Sequence, residues 1–159
     1  MKALKLLVPV LLVLVSGCKL LKKTKEDYRT GIIVLNKLKQ YGWFKEEYKN
    51  YTVSENAVDS LFGLNNVKIT IAGGEWCSDT RLQLPRFIKI LETIQFPRED
   101  LEIIFVNKEK QIPEVYKKLQ IKFVPTFIVI DKLGKELGRI VENPSKTLEY
   151  DLIKIVNQR

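Results

Sequence analysis

Residues 54–159 alternate between short β-branched runs and helical apolar periods, and this order constrains the fold more than any other feature of the chain. Val67 to Ala72 reads as a strand, and Gly73-Gly74 as a loop. Ser78 to about Thr93 reads as a helix, and Leu101 to Val106 as a second strand. Ile112 to Leu119 fits a short helix with Pro113 in its first turn, where proline is tolerated. Thr126 to Ile130 is a third strand, Asp131-Lys132-Leu133-Gly134 a turn, and Glu136 to Val141 a fourth strand that pairs back. Ser145 is expected to cap a final helix carrying Leu148, Leu152, Ile153 and Val156. The order β-α-β-α-β-β-α defines an α/β class, with a central mixed sheet flanked by helices.

Upstream, apolar Ile32, Ile33, Leu35 and Leu38 suggest a helix that starts from Glu26 and ends near Gly42. Trp43, Phe44, Tyr48 and Tyr51 follow as an aromatic run, for which packing on the core is the default over a ligand cage. Ser54 suits the N-cap of a helix that buries Val58, Leu61 and Phe62 and stops around Gly63 to Asn66. Residues 26–53 thus read as an N-terminal helical and aromatic extension, and 54–159 as the α/β domain.

The first 17 residues do not read as part of the fold. Met1, Lys2 and Lys5 form a basic start, and Leu6 to Val15 an apolar run containing Pro9. That run falls short of the roughly 20 apolar residues a bilayer span needs, and it fits a secretory signal. Val15-Ser16-Gly17-Cys18 resembles the bacterial lipobox, which implies a mature chain of residues 18–159 anchored through acyl groups on Cys18. Residues 18–25 then form a basic tether, with four lysines between Lys19 and Lys25. The expected location is the cell envelope, lipid-anchored, with the domain in the periplasm or at the exterior.

The formal net charge is +8, and without Lys2 and Lys5 it is +6. Outside the cytoplasm nucleic acid is a poor partner, and solvated lysine faces account for the excess. The sequence has no histidine, which removes Cys-His and Ser-His-Asp catalysis and any His-ligated metal site. With Cys18 consumed by lipid, Cys77 is the one remaining thiol, so no internal disulfide is expected. No metal and no cofactor is implied.

Trp76-Cys77-Ser78-Asp79-Thr80 lies between a predicted strand and a predicted helix. Pro85 follows eight residues after Cys77, and Val124-Pro125-Thr126 places Pro125 48 residues after Cys77. Together these resemble the thioredoxin-like superfamily, in which a Trp-Cys-x-x-Cys run opens a helix and a cis proline faces the first cysteine. The resemblance covers about residues 54–159. It also implies a further strand of the sheet before Ser54, without a defined position. Thr80 stands where the resolving cysteine would be. Ile71 stands six residues before Cys77, where the family has a buried acid, which puts efficient proton relay in doubt.

The resemblance implies that Cys77 sits at a helix start, where unpaired N–H groups and the helix dipole favour a thiolate. Thr80, three residues on, is either a hydrogen-bond donor to that thiolate or simply a polar residue of the first turn. Asp79 starts the helix and opposes a neighbouring anion. Glu142, after the fourth strand, is a possible second modulator or a surface carboxylate. Val124, Pro125 and Thr126 would present backbone to an extended client by strand addition. Two functions stay open. One is single-thiol exchange by Cys77, assisted by Thr80 and Trp76, with envelope proteins that carry disulfides or thiols and with an outside small thiol as the resolving agent. The other is a redox-inactive module that binds peptides or proteins through the same groove.

Overall fold

The computed structural model describes residues 30–158 except 62, 63, 65 and 110. The signal segment 1–17, the lipidation residue Cys18 and the tether 18–25 lie outside the described residues, as do Phe62 and Gly63 at the end of the helix expected after Ser54.

Ten elements carry the fold: β1 Gly31–Ile32, α1 Leu35–Leu38, α2 Gly42–Asn50, α3 Glu55–Leu61, β2 Val67–Gly73, α4 Ser78–Thr93, β3 Leu101–Phe105, β4 Thr126–Asp131, β5 Glu136–Val141 and α5 Leu148–Val156. Two short 3-10 helices, Arg98–Asp100 and Glu114–Leu119, complete the described set. The strands form one mixed sheet in the order β1-β3-β2-β4-β5. β2 and β3 are parallel, and every other neighbouring pair is antiparallel. β2 is therefore central, and all its residues except Lys68 are buried. A strand covered on both faces needs such a nearly unbroken apolar run.

Successive side chains of a strand face opposite sides of the sheet. On one side Val67, Ile69 and Ile71 of β2 pack with Leu84, Phe87, Ile88 and Leu91 of α4 and with Leu148, Leu152 and Ile155 of α5. Phe87 stacks on Phe127 of β4, with centroids 4.4 Å apart, which seats α4 on the sheet. On the other side Ala72, Ile104, Val106, Tyr116 and Val124 form a smaller cluster, covered by the 3-10 segment Glu114–Leu119.

Three expectations are corrected. The apolar residues at 32, 33, 35 and 38 do not lie on one helix. Gly31 and Ile32 pair with Phe105 and Ile104 as edge strand β1, which supplies the strand expected before Ser54. Among the described residues before Gly42, only Leu35–Leu38 forms an α-helix, and Gly42 begins α2 rather than ending a helix. Leu38 and Phe44 are fully buried in the main cluster, so the described residues before Ser54 pack into the same core as those after it. The aromatic run Tyr41, Trp43, Tyr48 and Tyr51 packs against that cluster. Finally, the N-cap of α5 is Thr147, whose Oγ1 accepts from the Tyr150 N–H (3.1 Å). Ser145 instead donates through both its hydroxyl and its N–H to Asp151.

Candidate functional site

The site is built where β2 ends and α4 begins. Gly73 and Gly74 are set by close approach. A Cβ on Gly73 would lie 2.9 Å from Thr80 Cγ2 and 3.0 Å from Phe105 Cε1. A Cβ on Gly74 would lie 2.8 Å from Trp76 Nε1. The two glycines thus let the loop fold down onto Thr80 and the indole. Trp76 Nε1 donates to the Val106 carbonyl (3.0 Å), which ties the loop to the end of β3. The Cys77 N–H donates to the Gly74 carbonyl (2.9 Å), closing a turn.

Cys77 is the N-cap residue of α4. Its carbonyl accepts the first helical bond from the Arg81 N–H (3.1 Å). Its side chain is half-buried and packs on the smaller cluster together with Trp76, Ile112, Leu119 and Ile121. The thiol donates to the Val124 carbonyl oxygen at 3.3 Å. The Val124–Pro125 peptide is cis. The flanking carbonyls are also engaged. Thr126 Oγ1 donates to Phe123 O (2.7 Å), and the Glu142 N–H donates to Pro125 O (2.7 Å). Three consecutive carbonyls are therefore committed, and only the middle one faces the thiol.

The structure brings Trp76, Cys77, Val124 and Pro125 together, with Thr80 and Thr126 behind them. Thr80 is 0% exposed, and its Oγ1 accepts from the Gly74 N–H at 3.2 Å. The hydroxyl thus braces the loop. Thr126 is likewise buried, so its side chain holds the turn instead of facing solvent. Asp79 is half-buried in the first turn of α4. Glu142 reaches the site through its backbone, at a left-handed φ of 57°. Ile71 is fully buried between Ile103 and Phe127 and leaves no carboxylate beneath Cys77 from that position.

Sequence reasoning missed two ties. Gln83, nearly fully buried on α4, donates through Nε2 to Asn143 Oδ1 (2.8 Å) and fixes the segment after β5. The two residues are 60 apart in sequence, and no local pattern announces such a pair. The Val106 carbonyl, acceptor for Trp76, lies just past β3 and has no side-chain signature. Further away, Glu149 is buried on α5 and accepts from Tyr51 OH through both oxygens, each at 2.9 Å.

A mixed sheet with a helix-capping cysteine opposite a proline loop defines a thioredoxin-like protein. A family model described as Thioredoxin matches residues 35–154, and the chain belongs to that family. Among solved structures it is similar to a protein of unknown function from Pseudomonas aeruginosa, with 17% identity over 72% of this chain and 80% of that one and a TM-score of 0.53. It is also similar to an HIV epitope scaffold, with 16% identity over 73% of this chain and 81% of that one and a TM-score of 0.53. A thioredoxin from Fasciola hepatica aligns at 21% identity over 66% of this chain and 90% of that one, with a TM-score of 0.41. No curated protein matches the chain. Membership of the family supports a thiol–disulfide redox role in general.

Proposed function

We propose that this chain is a lipid-anchored envelope protein that uses Cys77 as a single thiol in thiol–disulfide exchange. The observation that carries the reading is Cys77 itself, half-buried at the start of α4 and 3.3 Å from the Val124 carbonyl. Deprotonated Cys77 attacks one sulfur of a client disulfide. A Cys77–client disulfide forms, the client S–S bond breaks, and the departing client sulfur takes a proton. Client backbone pairs beside Val124 by strand addition. Thr80 lies where a resolving thiol would stand and cannot displace the client, so an outside thiol completes the cycle.

Exchange is tested on the full chain carrying Cys18→Ala, in which Cys77 is the sole cysteine. Folded protein should react with a thiol-alkylating reagent in mildly acidic buffer faster than the same chain unfolded. Slower reaction when folded means an inert thiol and favours a redox-inactive binding module. Anchoring is tested separately. Cys18→Ala should abolish fatty-acid labelling and membrane retention, and equal labelling of variant and parent would remove the anchor from the reading.

A further inference from the structure

Arg81 follows Cys77 by four positions, and residues so spaced share a face of a helix. Helical side chains lean toward the N-terminus, so Arg81 leans back over the loop that carries the thiol. It reaches past Cys77, because its Nε donates to the Glu75 carbonyl at 2.7 Å. Its backbone N–H donates to the Cys77 carbonyl at 3.1 Å. Arg81 is thus tied to both ends of the 75–77 loop, and it is nevertheless exposed to solvent.

The bond to Glu75 fixes the guanidinium without neutralising it, since a carbonyl accepts a proton bond and leaves the positive charge in place. Arg86 and Arg139 are engaged differently, on the carboxylates of Glu47 at 2.6 Å and Glu136 at 2.5 Å. Arg98 also donates to a carbonyl, that of Leu101, but β3 begins there, at the end of the sheet away from Cys77. Among the described residues no carboxylate lies within ion-pair distance of Arg81. Asp79, two positions before it, does not share its face of α4. With Nε engaged, both Nη groups remain to hold a carboxylate in the fork. The side chain is already held in place before a ligand arrives, which lowers the ordering cost of binding.

We infer that Arg81 selects the clients of Cys77 by holding the carboxylate of an aspartate or glutamate next to the client's disulfide cysteine. The inference rests on the exchange reading above. An extended chain advances ~3.3 Å per residue, so the neighbours of the attacked cysteine stay close to Cys77 while its sulfur is held there. An arginine that reaches from position 81 to position 75 is long enough to meet one of them. The fixed cation acts on encounter and docking, ahead of bond exchange. It speeds capture of a client with an acidic neighbour and slows capture of one with a basic neighbour. The sulfur chemistry is the same for both: Cys77 Sγ bonds to the client sulfur, the client S–S bond breaks, and the departing sulfur takes a proton.

The test uses the full chain carrying Cys18→Ala and peptides of the form X-Cys-X with blocked ends, in which X is Glu, Gln or Lys. The peptide cysteine is activated as a mixed disulfide with 2-thiopyridine, an uncharged leaving group with an ultraviolet signal. Cys77 Sγ, its proton lost to solvent, attacks the peptide sulfur. The Cys77–peptide bond forms, the bond to the thiopyridyl sulfur breaks, and 2-thiopyridone leaves with one proton. Each rate is divided by that of the same peptide with 2-mercaptoethanol, which removes the peptide's intrinsic reactivity. At low ionic strength the Glu peptide should react at least ~3 times faster than the Lys peptide, the size of an exposed ion pair. The ratio should fall toward one in about 1 M salt, which screens charges beyond ~3 Å. Arg81→Gln should bring the ratio to about one, Arg81→Glu should invert it, and Arg81→Lys should keep part of it. A loop that is merely loosened slows all the peptides alike and leaves the ratio unchanged. The comparison with Arg81 in place needs no variant to fold. Equal rates for the Glu and Lys peptides, a preference for Lys, or a Glu preference that survives Arg81→Glu overturns the role of Arg81 and leaves exchange by Cys77 standing. Failure of folded protein to react with any peptide, when unfolded protein reacts, overturns the exchange reading and the role of Arg81 with it.

Discussion

Thr80 is the side chain on which the proposed chemistry turns. It is fully buried, three residues after Cys77 in the first turn of α4, and its oxygen holds the Gly74 N–H. Thr80→Cys should place two thiols at i,i+3 spacing, where Cβ atoms are ~5–6 Å apart, and modest adjustment then reaches disulfide geometry. Under mild oxidant the variant should lose two hydrogens by mass together with its alkylatable thiols, and its reduced form should reduce a model protein disulfide. A folded variant that keeps both thiols free in oxidant would show that positions 77 and 80 do not face each other. The Gly74 N–H loses its partner, so a stability loss of about 1 kcal/mol is expected in urea. Tyr116 offers a test by pH. Burial first, and then the bond to Glu102, push its phenol up to about 12, and Tyr48 is raised to about 12 by burial and Glu92. The fold favours the neutral phenols, so this stabilisation is complete below the usual value of ~10 and is lost as pH climbs from there through about 12. The urea midpoint should fall over that window, and Tyr116→Phe should flatten part of the fall. That Trp76, Cys77 and Pro125 come together is legible in sequence, because each stands at a strand–helix or loop–strand junction that local pattern marks. Thr80 as a brace for Gly74 is not legible, since a threonine in a first helical turn serves many ends.

α4 shows what local pattern tells and what it omits. Its bounds, Ser78–Thr93, match the apolar period and the preceding loop, because a long amphipathic helix carries its own signal. The device that ends it does not show in sequence. Ile94 is the C-cap, Gln95 takes φ 57°, the Gln95 N–H donates to Glu92 O (3.1 Å), and the Phe96 N–H donates to Leu91 O (2.8 Å). This is a Schellman closure with glutamine where glycine is the usual residue. A left-handed φ costs an L-residue roughly 1–2 kcal/mol, part of which glycine's greater unfolded-state freedom offsets. Gln95→Gly should therefore stabilise the protein by about 0.5–1 kcal/mol, read as a rise in denaturation midpoint with activity unchanged. A lower midpoint would mean that the glutamine side chain contributes more than its backbone costs. The short elements fare worse. β1 has only two residues, and its partner β3 lies 70 positions downstream, so no local period distinguishes Ile32 and Ile33 from a helical stripe.

At the scale of the molecule, the order of elements from Val67 onward makes the sheet legible, whereas its edge and the burial of the aromatic segment depend on long-range pairing. Leu38 and Phe44 are fully buried, and Tyr51 links to Glu149 on α5. A chain trimmed to 54–159 loses β1 and both core side chains. Losses of ~2–5 kcal/mol for each large side chain rival a whole domain stability of about 5–15 kcal/mol. The trimmed chain should show no cooperative thermal transition by circular dichroism, and a sharp one near that of the full chain would mean that the first 53 residues are dispensable for folding. The register of β1 also has a directional consequence. Gly31 lies opposite Phe105, and Phe105 opposite Gly73, the residue that leads into the Cys77 loop. Chain arriving from upstream of Thr30 therefore joins the sheet at the rim that carries the thiol. Under the proposed acylation of Cys18, the 12 steps to Thr30 could span at most roughly 40 Å at ~3.3–3.6 Å per residue. A leash fastened at that rim would turn Cys77 toward the lipid surface, so that clients lying close to the membrane meet it first.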